Sequence, residues 1–441
     1  MATTIRFPAP RAALLAAMLV SCVSAHPLGS ATDHTRPPTE PPACAEVAAE
    51  PGPWPRAAGI ARVATDGHLE QRFVGSSPVR LRFLGTHLFD LLDKLEHEGG
   101  PTDLDRHRVV CAALNAAAAA GAPVVRLWGS LKQTGTIAET KRAAELLALV
   151  LDENARRRRP LRFVVTLLNH QSGYGAPRPE ASLDDQDPES AWNARRIYVE
   201  GSWRARGAGQ ILDRIEALRA RPEIASSPYV LAWELVNELE TYRAVAAGSL
   251  RGPEADALRD RFLVPALDAL ATSFPQPIML GDLRGAEAGY ADFARSVVAA
   301  LPAEARARLI WTSHVYAPLD ADPAELRRAT WKLDLDLRIA AELGRPFLLG
   351  EIGQHLRGEA PFCGEGTAHD PARLFTAALE TRRAIEAALF WGEGHCGLPV
   401  PGTGRRITIG AGGDSADLAP GDTAARSAVR AARALARFRS D

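Results

Sequence analysis

The chain has 441 residues, 46% of them hydrophobic. That exceeds one small domain and suits a single α/β barrel, which needs about 250 residues plus insertions. A formal net charge of −1 leaves no field to attract nucleic acid or an anionic membrane, so neither is expected as a partner.

In chain order, the first feature is an export signal over residues 1–25. Arg6 and Arg11 supply positive charge, and Ala12 to Val20 is an apolar run of nine residues. Such a run is too short to span a bilayer as a mature helix. Two cleavage readings stand side by side. Val23-Ser24-Ala25 ends in a small-residue site, whereas Leu19-Val20-Ser21-Cys22 resembles a bacterial lipobox. The second would leave Cys22 lipidated and the protein tethered to a membrane. Residues 26–56, rich in Pro, Thr and Ala and without periodicity, read as a disordered tether-like linker. The protein is therefore expected to be secreted, or held at the cell surface or outer membrane of a bacterium as a lipoprotein.

Export permits disulfides. Beyond Cys22 remain Cys44, Cys111, Cys363 and Cys396. Cys363 and Cys396 follow the seventh and eighth strand candidates, so they could be bridged or stay free. Cys111 lies in an apolar helical run and reads as a buried small hydrophobe. No spacing suggests zinc.

The folded domain is expected over 57–441. Gly59 to Val74 and Val79 to Leu84 alternate like a short hairpin around Gly75-Ser76-Ser77-Pro78. Eight apolar runs follow: Leu81–Gly85, Val124–Trp128, Leu161–Leu168, Val230–Val236, Pro277–Leu280, Leu309–Ser313, Pro346–Gly350 and Ala387–Trp391. Between them lie stretches of helical period, among them Thr140–Arg157, Ile211–Ala220, Ala255–Ala271 and Ala324–Leu343, with Ala424–Phe438 as a final helix. The basic run Arg156 to Arg159 closes one of these stretches, where the helix dipole favours it. Eight strand–helix units with near-continuous apolar strands predict a (β/α)8 TIM barrel.

Such barrels gather function at the C-terminal ends of their strands. There the sequence places His87, Arg126 with Trp128, Asn169 with His170 and Tyr174, Asn237-Glu238, His314 with Tyr316, Glu351, and Trp391. Glu234 shares a strand face with Glu238 and reads as a structural acid. Trp192 and Trp203 could line the site or merely pack. Two carboxyls on opposed strands suit cleavage of a glycosidic bond: one protonates the leaving oxygen, the other attacks carbon. Arg126 and Tyr316 would keep Glu351 ionised, Asn237 would hold a sugar hydroxyl, and Trp391 would face a sugar ring. His87 and His314 would contact hydroxyls or the glutamates.

Leu231 to Leu239 (LAWELVNEL) resembles the strand-4 motif of glycoside hydrolase family 5. Leu349-Gly350-Glu351-Ile352-Gly353 resembles that family's nucleophile strand, Ser313-His314-Val315-Tyr316 its strand-6 motif, and Phe390-Trp391 its strand-8 motif. The resemblance implies retaining double displacement with Glu238 as acid/base, Glu351 as nucleophile, and neither metal nor cofactor. Val124 to Gly129, Asn169-His170 with Tyr174-Gly175, and Leu280-Gly281-Asp282 are similar to segments of endo-β-1,4-mannanases. The sequence departs from them at Leu239, where they usually carry Pro, and at His87, where they usually carry Asn. A polysaccharide or oligosaccharide is the expected partner, and a monomer the expected state. Within the resemblance the alternative is another β-glycanase or β-glycosidase of the family, cellulase-like, and two readings of other classes use the same residues. One is a metal-dependent hydrolase with His87, His170, His314 and Glu351 as ligands; the other is a non-catalytic glycan-capturing protein.

Overall fold

The computed structural model describes residues 54–119, 122–131, 136–169, 198–207, 209–240, 250–284, 289–318, 322–355, 385–390, 395–399 and 406–409. Among them no helix is long and apolar enough to cross a membrane. The signal, nearly all of the linker, and the Ala424–Phe438 stretch lie outside the described residues. The described chain begins at Trp54, inside the stretch read as linker, and that ring is buried.

Three short strands, β1 (Arg62–Val63), β2 (Leu69–Arg72) and β3 (Pro78–Arg80), form an antiparallel sheet. The expected hairpin is the β2–β3 part of it, and Gly75 supplies the positive φ of its turn. Eight parallel strands then close a barrel: β4 (Phe83–His87), β5 (Val124–Trp128), β6 (Arg162–Asn169), β7 (Val230–Asn237), β9 (Ile278–Met279), β11 (Leu309–Pro318), β12 (Phe347–His355) and β13 (Ala387–Phe390). They pair in chain order, and β13 returns to β4 through Ala387↔Phe83. Every residue of β6 and β7 is buried, because parallel strands under a ring of helices have no wet face. The sixth and seventh strands run five residues past their apolar cores, to Pro318 and His355. Their polar ends take part in the ladder.

Outside the barrel ladder, β8 (Leu239–Glu240) and β10 (Leu283–Arg284) pair parallel to each other, and after the last barrel strand β14 (His395–Pro399) pairs antiparallel with β15 (Arg406–Ile409). The helices start where caps allow. Thr136 accepts from the Glu139 N–H ahead of Ile137–Arg156. Asp322 and Glu325 form a capping box ahead of Pro323–Glu342. The helix expected over 255–271 is interrupted by a π turn at Arg259–Leu263. Pro265 lacks an N–H and would clash with the carbonyl four residues back; the Val264 N–H reaches Arg259 O instead.

One apolar core lies between strands and helices, and another fills the barrel floor. Into that floor the N-terminal sheet inserts Trp54, Leu69 and Phe73 against Val164, Leu231 and Leu348. Arg162 is buried there as well. It donates to Gln71 Oε1 at 2.8 Å, Pro160 O at 2.5 Å and Pro55 O at 3.0 Å, close to the rings of Phe73 and Tyr229. Burial lowers its pKa to about 10. The N-terminal end is thereby plugged, and the polar strand ends among the described residues lie at the opposite mouth.

Cys111 corrects one expectation. It is buried, but it is disulfide-bonded rather than a free apolar thiol. Whether Cys363 and Cys396 are bridged, as the sequence allowed, lies outside the described side chains.

Candidate active site

Arg126 is the hub of the mouth. Strand alternation turns it inward from β5, and it is 0% exposed. Its Nε donates to Glu234 Oε2 at 2.7 Å, Nη1 to Glu351 Oε1 at 2.6 Å, and Nη2 to Asn237 Oδ1 at 2.7 Å. One guanidinium thus ties β5 to β7 and β12. The Thr166 hydroxyl also donates to Glu234, and Asn237 Nδ2 donates to Asn169 Oδ1 at 2.8 Å. Both contacts follow from register, since β6 sets Thr166 opposite Glu234 and Asn169 opposite Asn237.

Glu351 accepts a second bond, from the Tyr316 hydroxyl. His314 Nδ1 lies 3.0 Å from Glu238 Oε1 and 3.3 Å from Glu351 Oε2. That nitrogen and one oxygen of each glutamate all lie within 4.8 Å of one another, all three residues buried. Gly350 makes room for this. A Cβ there would lie 2.6 Å from Thr312 Oγ1 and 2.9 Å from His314 Nε2.

Glu238 has φ +44°, the sole positive φ among the described non-glycine residues. Its place in the ladder explains this. From Glu234↔Met279 to Leu239↔Leu283, the glutamate side advances five residues and the other side four. Glu238 falls in the stretch holding the extra residue, as in a bulge. Left-handed backbone costs a side-chain-bearing residue about 1–2 kcal/mol and persists only where surroundings impose it.

Burial, and then the Glu238 charge, push Glu351 up to about 8, against the pull of Arg126 and Tyr316. If Glu238 holds the proton, the second of those causes vanishes, while the donors on Glu351 remain. The two carboxyls then share one proton, and the pair carries a single charge. Tyr316 is raised well above the usual phenol range by burial and by the Glu351 charge, so it stays a donor. Burial would lower Arg126, but the Glu234 and Glu351 charges outweigh it and raise it. His87 is lowered well below the ordinary histidine range, first by burial and then by Arg126 and His314. It is a neutral ring beside the cation.

Of the sequence candidates, Arg126, Asn237, Glu238, His314, Tyr316, Glu351 and His87 converge. Trp128 is buried against Phe89, with the Arg126 guanidinium 4.7 Å from its ring. It packs beneath the site and presents no open face. Trp203 lies elsewhere, buried on Phe262 with its Nε1 bonded to Arg261 O. His170, Tyr174, Trp192 and Trp391 lie outside the described residues. Glu234 belongs to the hub although the sequence read it as merely structural; its spacing of four from Glu238 was the available signal. Thr166 sits inside an apolar run that gave none.

Among the described residues two triads could hold a cation: His107, Cys111 and Glu153, and Glu238, His314 and Glu351. In the first, the sulfur is committed to a disulfide. In the second, Glu351 is already neutralised by Arg126, so a cation would meet a positive neighbour.

No protein-family profile matches the sequence, and no curated protein sequence matches it. Solved structures do. The chain is similar to an endo-1,4-β-mannanase from Rhizomucor miehei, at 14% identity over 87% of this chain and 99% of that one, TM-score 0.49. It is similar to an exo-β-1,4-mannosidase from Opitutaceae bacterium strain TAV5, at 15% over 85% and 62%, TM-score 0.48. It is also similar to a tri-modular endo-β-1,4-glucanase B from Bacillus halodurans, at 16% over 70% and 55%, TM-score 0.47.

Proposed function

We propose that this chain is a retaining glycoside hydrolase acting on a β-1,4-linked glycan, with mannan the first substrate to test. The observation that supports it is the pair Glu238 and Glu351, whose oxygens approach within 4.8 Å. Retaining glycosidases hold their carboxyls about 5–5.5 Å apart, whereas inverting ones leave roughly 6.5–9.5 Å for a water.

In the first step a Glu351 oxygen attacks the anomeric carbon, the glycosidic C–O bond breaks, and Glu238 gives its proton to the departing oxygen. In the second, Glu238 takes a proton from water, the water oxygen attacks the same carbon, and the Glu351–sugar bond breaks. Two inversions restore the configuration. Arg126 and Tyr316 hold the charge on Glu351 when it is nucleophile and again when it is leaving group. His314 orients Glu238. Asn237, held by Arg126 and Asn169, would meet a sugar hydroxyl on this reading.

The test is a product profile on mannan, glucomannan, xylan and carboxymethylcellulose, with the anomeric outcome read by NMR before mutarotation. Release of the β-anomer supports the reading. Activity on xylan alone would overturn mannan as substrate and leave the mechanism standing. Release of the α-anomer would overturn the mechanism. Loss of activity in EDTA, restored by zinc, would favour the metal-dependent reading. Tight oligosaccharide binding without any product would favour glycan capture.

A further inference from the structure

Beside the mouth lies a second buried charge cluster that the proposed reaction does not use. Lys332, on the helix Pro323–Glu342, donates to Asp282 Oδ1 at 2.6 Å and to Asp336 Oδ2 at 2.7 Å, and its Nζ lies 3.4 Å from Ser313 Oγ. Asp336 Oδ1 accepts from the Tyr290 hydroxyl at 2.6 Å and from Trp311 Nε1 at 3.1 Å. Asp282, Ser313 and Asp336 are buried. The Asp282 and Asp336 charges outweigh desolvation and keep the ammonium charged.

Two of the partners of Lys332 are one residue away from something that fixes Glu238. Ser313 precedes His314, which bonds the Glu238 carboxyl. Asp282 precedes Leu283, which pairs with Leu239, the residue after Glu238. Just before Asp282, Gly281 at φ +101° crosses the end of β7 so closely that a Cβ would lie 1.6 Å from Val236 O. The segment after β9 is therefore threaded over the acid/base strand, and Lys332 holds it from behind.

We infer that Lys332 is a positioning residue for Glu238. Through Asp282 it holds the backbone partner that imposes the left-handed turn at Glu238, and through Ser313 it steadies the strand carrying His314. This rests on the reading of Glu238 as acid/base. A buried ion cluster can also serve stability alone, so the test needs readouts that stability does not move.

Lys332→Met and Asp282→Asn are made in the full chain, with folding checked by near-UV circular dichroism. If Lys332→Met fails to fold, the isosteric Asp282→Asn carries the test. The first readout needs no turnover. In protein labelled with 13C at glutamate carboxyls, the Glu238 resonance, assigned by its loss in Glu238→Gln, is followed against pH. Its midpoint is expected to move by about one unit, a tenfold change in proton affinity. The second compares phenyl with 2,4-dinitrophenyl glycosides of β-mannobiose and cellobiose. The dinitrophenolate leaves without a proton. The phenyl-to-dinitrophenyl ratio of kcat/KM, which reports the first step alone, is expected to fall about tenfold or more, part of the roughly 10²–10⁴-fold that a positioned acid supplies. An unchanged midpoint, or an unchanged ratio, in a folded variant overturns the inference. If the wild-type chain cleaves neither glycoside series, mannan and glucan fail as its substrates, and the carboxyl titration still decides whether Lys332 positions Glu238.

Discussion

Arg126 donates to Glu351 at 2.6 Å across the barrel mouth, joining residues 225 positions apart in the chain. The same guanidinium serves Glu234, so one cation balances two buried carboxylates. Arg126→Met is expected to leave both without that partner. Breaking a buried pair by removing one member costs about 3–5 kcal/mol. Urea unfolding at pH 7 checks this, and a loss below about 1 kcal/mol would contradict it.

The pH dependence has a definite sign. Glu351 is raised to about 8 in the folded chain, from an ordinary value of 4.5. A raised carboxyl stabilises the fold fully below its unfolded value, and that stability is lost as pH rises through the folded value. Thermal midpoints are expected to fall between pH 4.5 and 8 more steeply in the wild type than in Glu351→Gln. Parallel curves would count against the raised carboxyl. The basic limb of kcat/KM should lie near 8, where the pair loses its shared proton.

Tyr316→Phe removes one donor from Glu351 and leaves the ring. A hydrogen bond to a charged group is worth about 1.5–3 kcal/mol. On the proposed mechanism, kcat/KM should fall roughly 10- to 100-fold, and the basic limb should move to higher pH because this donor lowers Glu351. Steady-state kinetics across pH on the best aryl glycoside reads both. A loss of rate with no shift of the limb would separate Tyr316 from Glu351.

Gly350→Ala tests whether His314 is placed by packing. The added methyl would sit 2.6 Å from Thr312 Oγ1 and 2.9 Å from His314 Nε2. Overpacking of this kind costs about 1–3 kcal/mol. If His314 orients Glu238, the phenyl glycoside should suffer more than the dinitrophenyl one. Equal losses on both would show that His314 and the acid act independently.

Cys111→Ser addresses the disulfide that the sequence reading missed. Loss of a native disulfide typically costs about 2–5 kcal/mol. Thiol titration of the denatured wild type, with and without prior reduction, should reveal masked sulfur at this position. A fully reactive Cys111 without reduction would exclude the bridge.

Local pattern carried much of this protein. Val124–Trp128 is a strand with the bounds its apolar run suggested, and the polar residues following the runs fall at one end of the barrel. Those features, among the described residues, depend on alternation and on strand direction, which neighbouring residues determine. Tertiary structure decided the rest. Thr166, and the partners of Glu234, were hidden because a polar side chain in an apolar strand has no visible partner until the sheet registers. The left-handed turn at Glu238 depends on a mismatch between segments paired 45 residues apart at Glu234↔Met279 and 44 apart at Leu239↔Leu283, which neither segment contains. Asp336 lies on the buried face of its helix and reads as an exception to periodicity until Tyr290, Trp311 and Lys332 surround it. A chain records which side chains alternate inward; only barrel closure and register decide which of them meet.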